Sequence, residues 1–139
     1  MRSPARAVLC LAAALAEVLV AGCAARNELR YDLSDPGLAA DTDRTKVYPQ
    51  PPDRMLAAAR KALSDRGFSV GESCRSRRGT WFVAMQGSSA VGIDTSTGIG
   101  VLVAPTAEGN ARVSVVSRTA DTPKEIHVWI ANGLSPGGR

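Results

Sequence analysis

The chain has 139 residues with 45% apolar, 22% charged and 4% aromatic side chains, and a net charge of +4. That length suits a single small domain, and the composition is that of a globular protein, not an intrinsically disordered one. The positive balance is weak and spread along the chain, so it gives no basis for a nucleic-acid partner. With few aromatics, the core must rest on Val, Leu, Ile and Ala.

Arg2 and Arg6 precede an apolar run, Ala7 to Val20, interrupted only by Glu17. Small residues follow at Ala21 and Gly22, directly ahead of Cys23. A basic start, a short apolar run and a small-residue site are the layout of a secretory signal peptide. As a helix the run spans about 21 Å, short of the roughly 30 Å hydrocarbon core, and Glu17 adds to the cost of a stable transmembrane span.

Val20-Ala21-Gly22-Cys23 resembles the lipobox of bacterial lipoproteins. The resemblance implies diacylglyceryl transfer to the Cys23 thiol and cleavage between Gly22 and Cys23, with acylation of the new amino group in many bacteria. Residues 1–22 are then the leader, and the mature chain is held on a membrane through lipid on Cys23. Ala24 and Ala25 follow, in place of the aspartate that retains enteric lipoproteins at the inner membrane. The expected location is therefore the cell envelope, on the outer membrane facing the periplasm where the organism has two membranes. An ordinary signal peptide, cut near Ala24 or Ala25, is the alternative.

Residues 23–50 read as the lipidated cysteine and a flexible tether. The stretch is rich in Asp and Pro, its charges alternate and no helical stripe is sustained. Such a segment lacks the apolar surface to offset its ordering entropy, and some twenty flexible residues reach roughly 25–30 Å. Tyr31, Leu33 and Leu38 are the residues that could dock on the domain or on a partner. Val47 and Tyr48 begin a candidate first strand, ended by Pro49 and Pro51.

Residues 51–135 read as a small α+β domain: an antiparallel sheet of about four strands with two helices packed on one face. Pro52-Asp53 opens a helix, with Asp53 as cap or first-turn acid. Met55, Leu56, Ala59, Ala62 and Leu63 form its apolar face, and Gly67 is its left-handed stop. Strands follow at Phe68–Val70, Gly79–Gln86, Ile99–Ala104 and Val113–Val116, with 73–78 as a polar connection. Thr122, Pro123 and Glu125 carry the capping box of a last helix, whose apolar face is Ile126, Trp129 and Ile130. Gly133 is its expected stop, with Leu134 packing back on Trp129. Residues 136–139 read as a disordered tail.

No catalytic set stands out, and no metal or cofactor is implied. Lipidation of Cys23 leaves Cys74 as the one thiol of the mature chain, a residue worth noting in an oxidising compartment but without a reaction partner. His127, the only histidine, falls off the Ile126–Ile130 face and reads as a surface residue. Asp94-Thr95-Ser96 lacks the glycine of the aspartic-protease triplet, so 94–98 reads as a hairpin turn. Gly87, Gly92, Gly98 and Gly100 lack the order of a phosphate-binding loop and read as turn and bulge positions. The one local cluster suited to contacting an anion or a partner is Arg75, Arg77 and Arg78 beside Trp81. The chain thus reads as a non-enzymatic envelope lipoprotein, anchored by its lipid and able to meet an envelope protein. A ligand-binding lipoprotein, with an apolar or cell-wall molecule against a sheet face, is the second reading.

Overall fold

The computed structural model describes residues 27–86 and 98–134. The leader, Cys23, the 94–97 part of the expected turn and the 136–139 tail lie outside these. The chain is helical over 27–33 (α1) and makes a 3-10 turn at Leu38–Ala40, then enters β1 (Thr45–Tyr48). Helix α2 (Pro52–Asp65) leads to β2 (Phe68–Val70), β3 (Cys74–Ser76), β4 (Gly79–Gln86), β5 (Gly98–Pro105) and β6 (Ala111–Ser117). Helix α3 (Pro123–Leu134) follows. The fold is α+β, with one antiparallel sheet ordered β1-β6-β5-β4-β2 and β3 also paired to β4.

The sheet has six strands where the sequence pattern gives about four. Strand β1, which Val47 and Tyr48 mark in the sequence, pairs with β6, Thr45 opposite Ser114 and Tyr48 opposite Ala111. The polar connection 73–78 holds β3, which pairs Cys74 with Trp81 and Ser76 with Gly79. Strand β2 lies on the same side of β4, with Phe68 opposite Gln86 and Val70 opposite Ala84. Between the two registers the edge carries one extra residue, so β2 and β3 form a single edge strand broken by a bulge. There the Gly71 N–H donates to the Val83 carbonyl at 2.9 Å. Arg60 of α2 fixes the bulge from outside, donating to the Gly71 carbonyl at 2.7 Å and Ser73 Oγ at 3.0 Å.

On one face the alternating residues Ile99, Val101 and Val103 of β5 meet Phe82, Ala84, Val113 and Val115. Helix α2 covers them with Met55, Ala59, Ala62 and Leu63, and α3 with Ile126 and Ile130. Helical spacing puts each set on a single stripe. Pro52 sits at the start of α2, Asp53 is the acid of its first turn, and Gly67 follows its end at φ +86°. The capping box of α3 is formed in both directions: the Thr122 N–H donates to Glu125 Oε2 at 2.7 Å, and the Glu125 N–H to Thr122 Oγ1 at 3.3 Å. Gly133 does not end α3, which continues through it to Leu134.

The opposite face corrects the expectation of a flexible tether. Leu29, Leu33 and Leu38 are buried against Val83, Leu102 and Val116, beside Trp81 and Met85. Leu29 and Leu33 are four residues apart and share one side of α1. Gly98 and Gly100, expected at a turn and a bulge, lie within β5 and open the surface on which this helix sits. A Cβ on Gly100 would stand 3.0 Å from Leu33 Cδ1, and one on Gly98 would stand 2.8 Å from Leu29 Cδ1. The alternating charges of the segment are structural too. Arg118 pairs with Glu28 at 3.2 Å and Asp32 at 2.9 Å, and Arg44 with Asp41 at 2.7 Å and Asp35 at 3.4 Å. Thr45 Oγ1 donates to the Leu38 carbonyl at 2.7 Å; its single proton used, it accepts from Ser114 Oγ at 2.8 Å. The domain therefore includes residues 27–50, and its boundary is not at 51.

Candidate functional site

The β3–β4 hairpin turns tightly, with Ser76 opposite Gly79 and only Arg77 and Arg78 between them. Gly79 has φ +142°, and a Cβ there would meet the Val103 carbonyl oxygen at 2.2 Å, so only glycine fits. Ser76 Oγ braces the tip, donating to the Gly79 carbonyl at 3.0 Å and accepting the Arg78 N–H at 3.3 Å. Arg78 folds back to the end of α1, where Nη1 donates to the carbonyls of Ser34 at 2.8 Å and Asp35 at 3.1 Å. These carbonyls lie in the turn just after the helix, where that of Asp35 also accepts the Leu38 N–H at 3.1 Å, and a guanidinium suits them. Arg78 thus holds hairpin and helix together, while Arg75 and Arg77 remain exposed.

A groove of about 630 Å³ runs between α1 and the β3 edge. Asn27, Arg30 and Ser34 line it from the helix, Arg75 and Arg77 from the hairpin, and Trp81 from β4. The guanidinium of Arg30 stands 5.7 Å from the Trp81 ring centroid, within range of a cation–π contact. Glu72 is the one acidic residue in the lining. Among the described residues, none of Arg30, Arg75, Arg77 and Arg78 pairs with a carboxylate. The groove thus gathers the four residues singled out in the sequence and adds Arg30. Helix α1 brings Arg30 in: with 27–33 helical, 27, 30 and 34 fall on the side turned from Glu28 and Asp32. Cys74, half-exposed, lies in the groove wall and has no thiol partner among the described residues.

His127 is buried, not on the surface. It turns from the Ile126–Ile130 stripe toward β1, a strand marked in the sequence only by Val47 and Tyr48. Nε2 lies 2.9 Å from the Arg44 carbonyl, which can only accept, so Nε2 carries the proton. Nδ1 then accepts from the Tyr48 hydroxyl at 2.9 Å. Burial pushes the imidazole pKa below its ordinary value and the Tyr48 phenol up to about 12. Both groups stay neutral and both ring nitrogens are occupied, an arrangement that packs β1 against α3 and leaves no nitrogen for a metal or a substrate proton. Among the described residues, no three His, Cys, Asp or Glu side chains gather as a metal site. Asp94 lies outside those residues.

The second reading, a ligand against a sheet face, requires an open face. Among the described residues α2 and α3 cover one face, while α1 and Leu38 cover part of the other and leave the groove beside Trp81 and Leu102. Compared with known proteins, the chain matches no family model and no curated protein.

Proposed function

We propose that the chain is a bacterial envelope lipoprotein, cut ahead of Cys23 and anchored by lipid on that residue, with a non-enzymatic interaction domain. The observation that carries this reading is Val20-Ala21-Gly22-Cys23 placed directly after the apolar run. The fold is compatible with it, because cleavage there removes no residue of the described domain. No helix of the described residues is long and apolar enough to cross a membrane. The domain works by contact: its exposed cationic groove has the chemistry of a binding surface, and its one histidine is committed to packing. Where there are two membranes, the outer one, on its periplasmic side, is the proposed location.

The test is fractionation of cells expressing the full-length chain. The wild-type protein is expected in the membrane fraction and in the detergent phase on phase separation. Cys23→Ala is expected to lose the detergent-phase partitioning. Identical partitioning of the two would contradict the anchor.

A further inference from the structure

We infer that the groove between α1 and the β3–β4 hairpin rests on the membrane and binds the phosphate headgroups of anionic phospholipids. The inference deepens the lipoprotein reading and rests on it. A long flexible tether would hold the domain roughly 25–30 Å from the bilayer, well beyond the screening length of about 8 Å. The folded α1 removes that spacing. Only residues 24–26 separate Cys23 from Asn27, and four residue steps span at most about 14 Å even when fully extended. Asn27 is itself part of the groove lining, so one end of the groove is tied close to the lipid.

The charges are sorted to match. Glu28 and Asp32, on one side of α1, are engaged by Arg118. Arg30, on the other side, faces the groove with Arg75 and Arg77 from the hairpin. Guanidinium groups bind phosphate oxygens in a forked geometry, and a partly buried tryptophan suits the polar boundary of a bilayer. The anchor supplies proximity, which turns a weak headgroup contact into an intramolecular one. The headgroup contact in turn fixes which face of the domain looks outward, to any envelope partner.

The test uses the mature lipidated protein in vesicles, carrying Trp129→Phe so that Trp81 is the one fluorophore of the tryptophan type. Vesicles of phosphatidylcholine alone are compared with mixtures of phosphatidylcholine and phosphatidylglycerol, each with a headgroup-labelled nitroxide quencher. Quenching of Trp81 is expected to be stronger in the anionic vesicles, to weaken as salt is raised, and to fall in Arg75→Glu/Arg77→Glu. Removing one arginine is expected to weaken the headgroup equilibrium roughly fivefold. Both arginines are exposed, so the reversed protein is expected to keep its urea midpoint. Equal quenching in the two vesicle types, or quenching indifferent to the double reversal, overturns the inference. The anchor fails separately: an unlipidated chain does not float with phosphatidylcholine vesicles. That chain is then scored for flotation with the anionic vesicles, where binding lost on the double reversal supports the groove and no binding overturns it.

Discussion

Leu33→Ala separates a docked N-terminal segment from a solvated one. Leu33 is 4% exposed and buried in the cluster with Val83, Leu102 and Val116. Truncating a buried leucine costs about 2–5 kcal/mol, the lower part of that range where the surroundings can close on the gap. Helix α1 is a short outer layer that can settle toward Gly100, so about 2–3 kcal/mol is expected. For a chain this size a urea slope near 1.5 kcal/mol/M is reasonable, and the unfolding midpoint then falls by roughly 1.3–2 M. The assay is equilibrium urea denaturation of the leaderless Cys23→Ser chain, followed by far-ultraviolet circular dichroism. Leu29→Ala is expected to behave alike. Tyr31→Ala, at a side chain 80% exposed on the same helix, should stay within about 0.5 kcal/mol of the parent. A tether in solvent would make all three changes equally silent. A Leu33→Ala midpoint indistinguishable from that of Tyr31→Ala would refute the docking of α1.

Other consequences follow from the same contacts. Gly79→Ala forces an unfavourable φ and drives a methyl into the Val103 carbonyl, so a loss of about 3 kcal/mol or more is expected in the same assay. Gly109→Ala, at φ +81° with open space around it, should cost about 1 kcal/mol. Thr122→Ala removes the hydroxyl that accepts the Glu125 N–H in the capping box of α3 and is expected to cost about 1 kcal/mol. Tyr48→Phe leaves buried His127 Nδ1 without its donor, and a loss of about 1–3 kcal/mol should appear in denaturation curves at neutral pH.

The same pair sets a pH dependence. Because burial lowers the His127 pKa in the fold, the unfolded chain binds the extra proton first. The contribution is complete above the unfolded imidazole value of about 6.5 and is lost as pH falls from there through the folded pKa. Urea midpoints should therefore drop between neutral and mildly acidic pH, and His127→Gln should flatten that part of the profile. At the alkaline end the sign reverses: Tyr48, raised to about 12, keeps its proton while the unfolded phenol loses it, so stability declines as pH rises above about 10.

What could be read in the sequence was what repeats. Helix α2 shows a full apolar stripe, β4 to β6 are runs of seven or eight residues rich in aromatic or β-branched side chains, and α3 carries a capping box whose bonds are formed. Helix α1 has only Leu29 and Leu33 to mark it, and the surface they meet is created partly by the missing side chains of Gly98 and Gly100. A pattern method cannot see a contact made by absence. Strand β3 is an edge of three residues, Cys74-Arg75-Ser76, without an apolar alternation; backbone pairing and the Gly79 turn define it. The burial of His127 is hidden from the sequence for a related reason, since it depends on β1 lying beside α3. In the candidate site, Arg75, Arg77, Arg78 and Trp81 stand close in sequence and were legible. Arg30 joins them through the fold alone, some forty-five residues away from Arg75.

The lipid anchor is tested most directly by the intact mass of the mature protein extracted from membranes. Cleavage and lipidation at the lipobox give a chain that begins at Cys23 and exceeds its polypeptide mass by a diacylglyceryl group, with or without a further acyl chain. An unmodified chain beginning at Ala24 or Ala25 would contradict it.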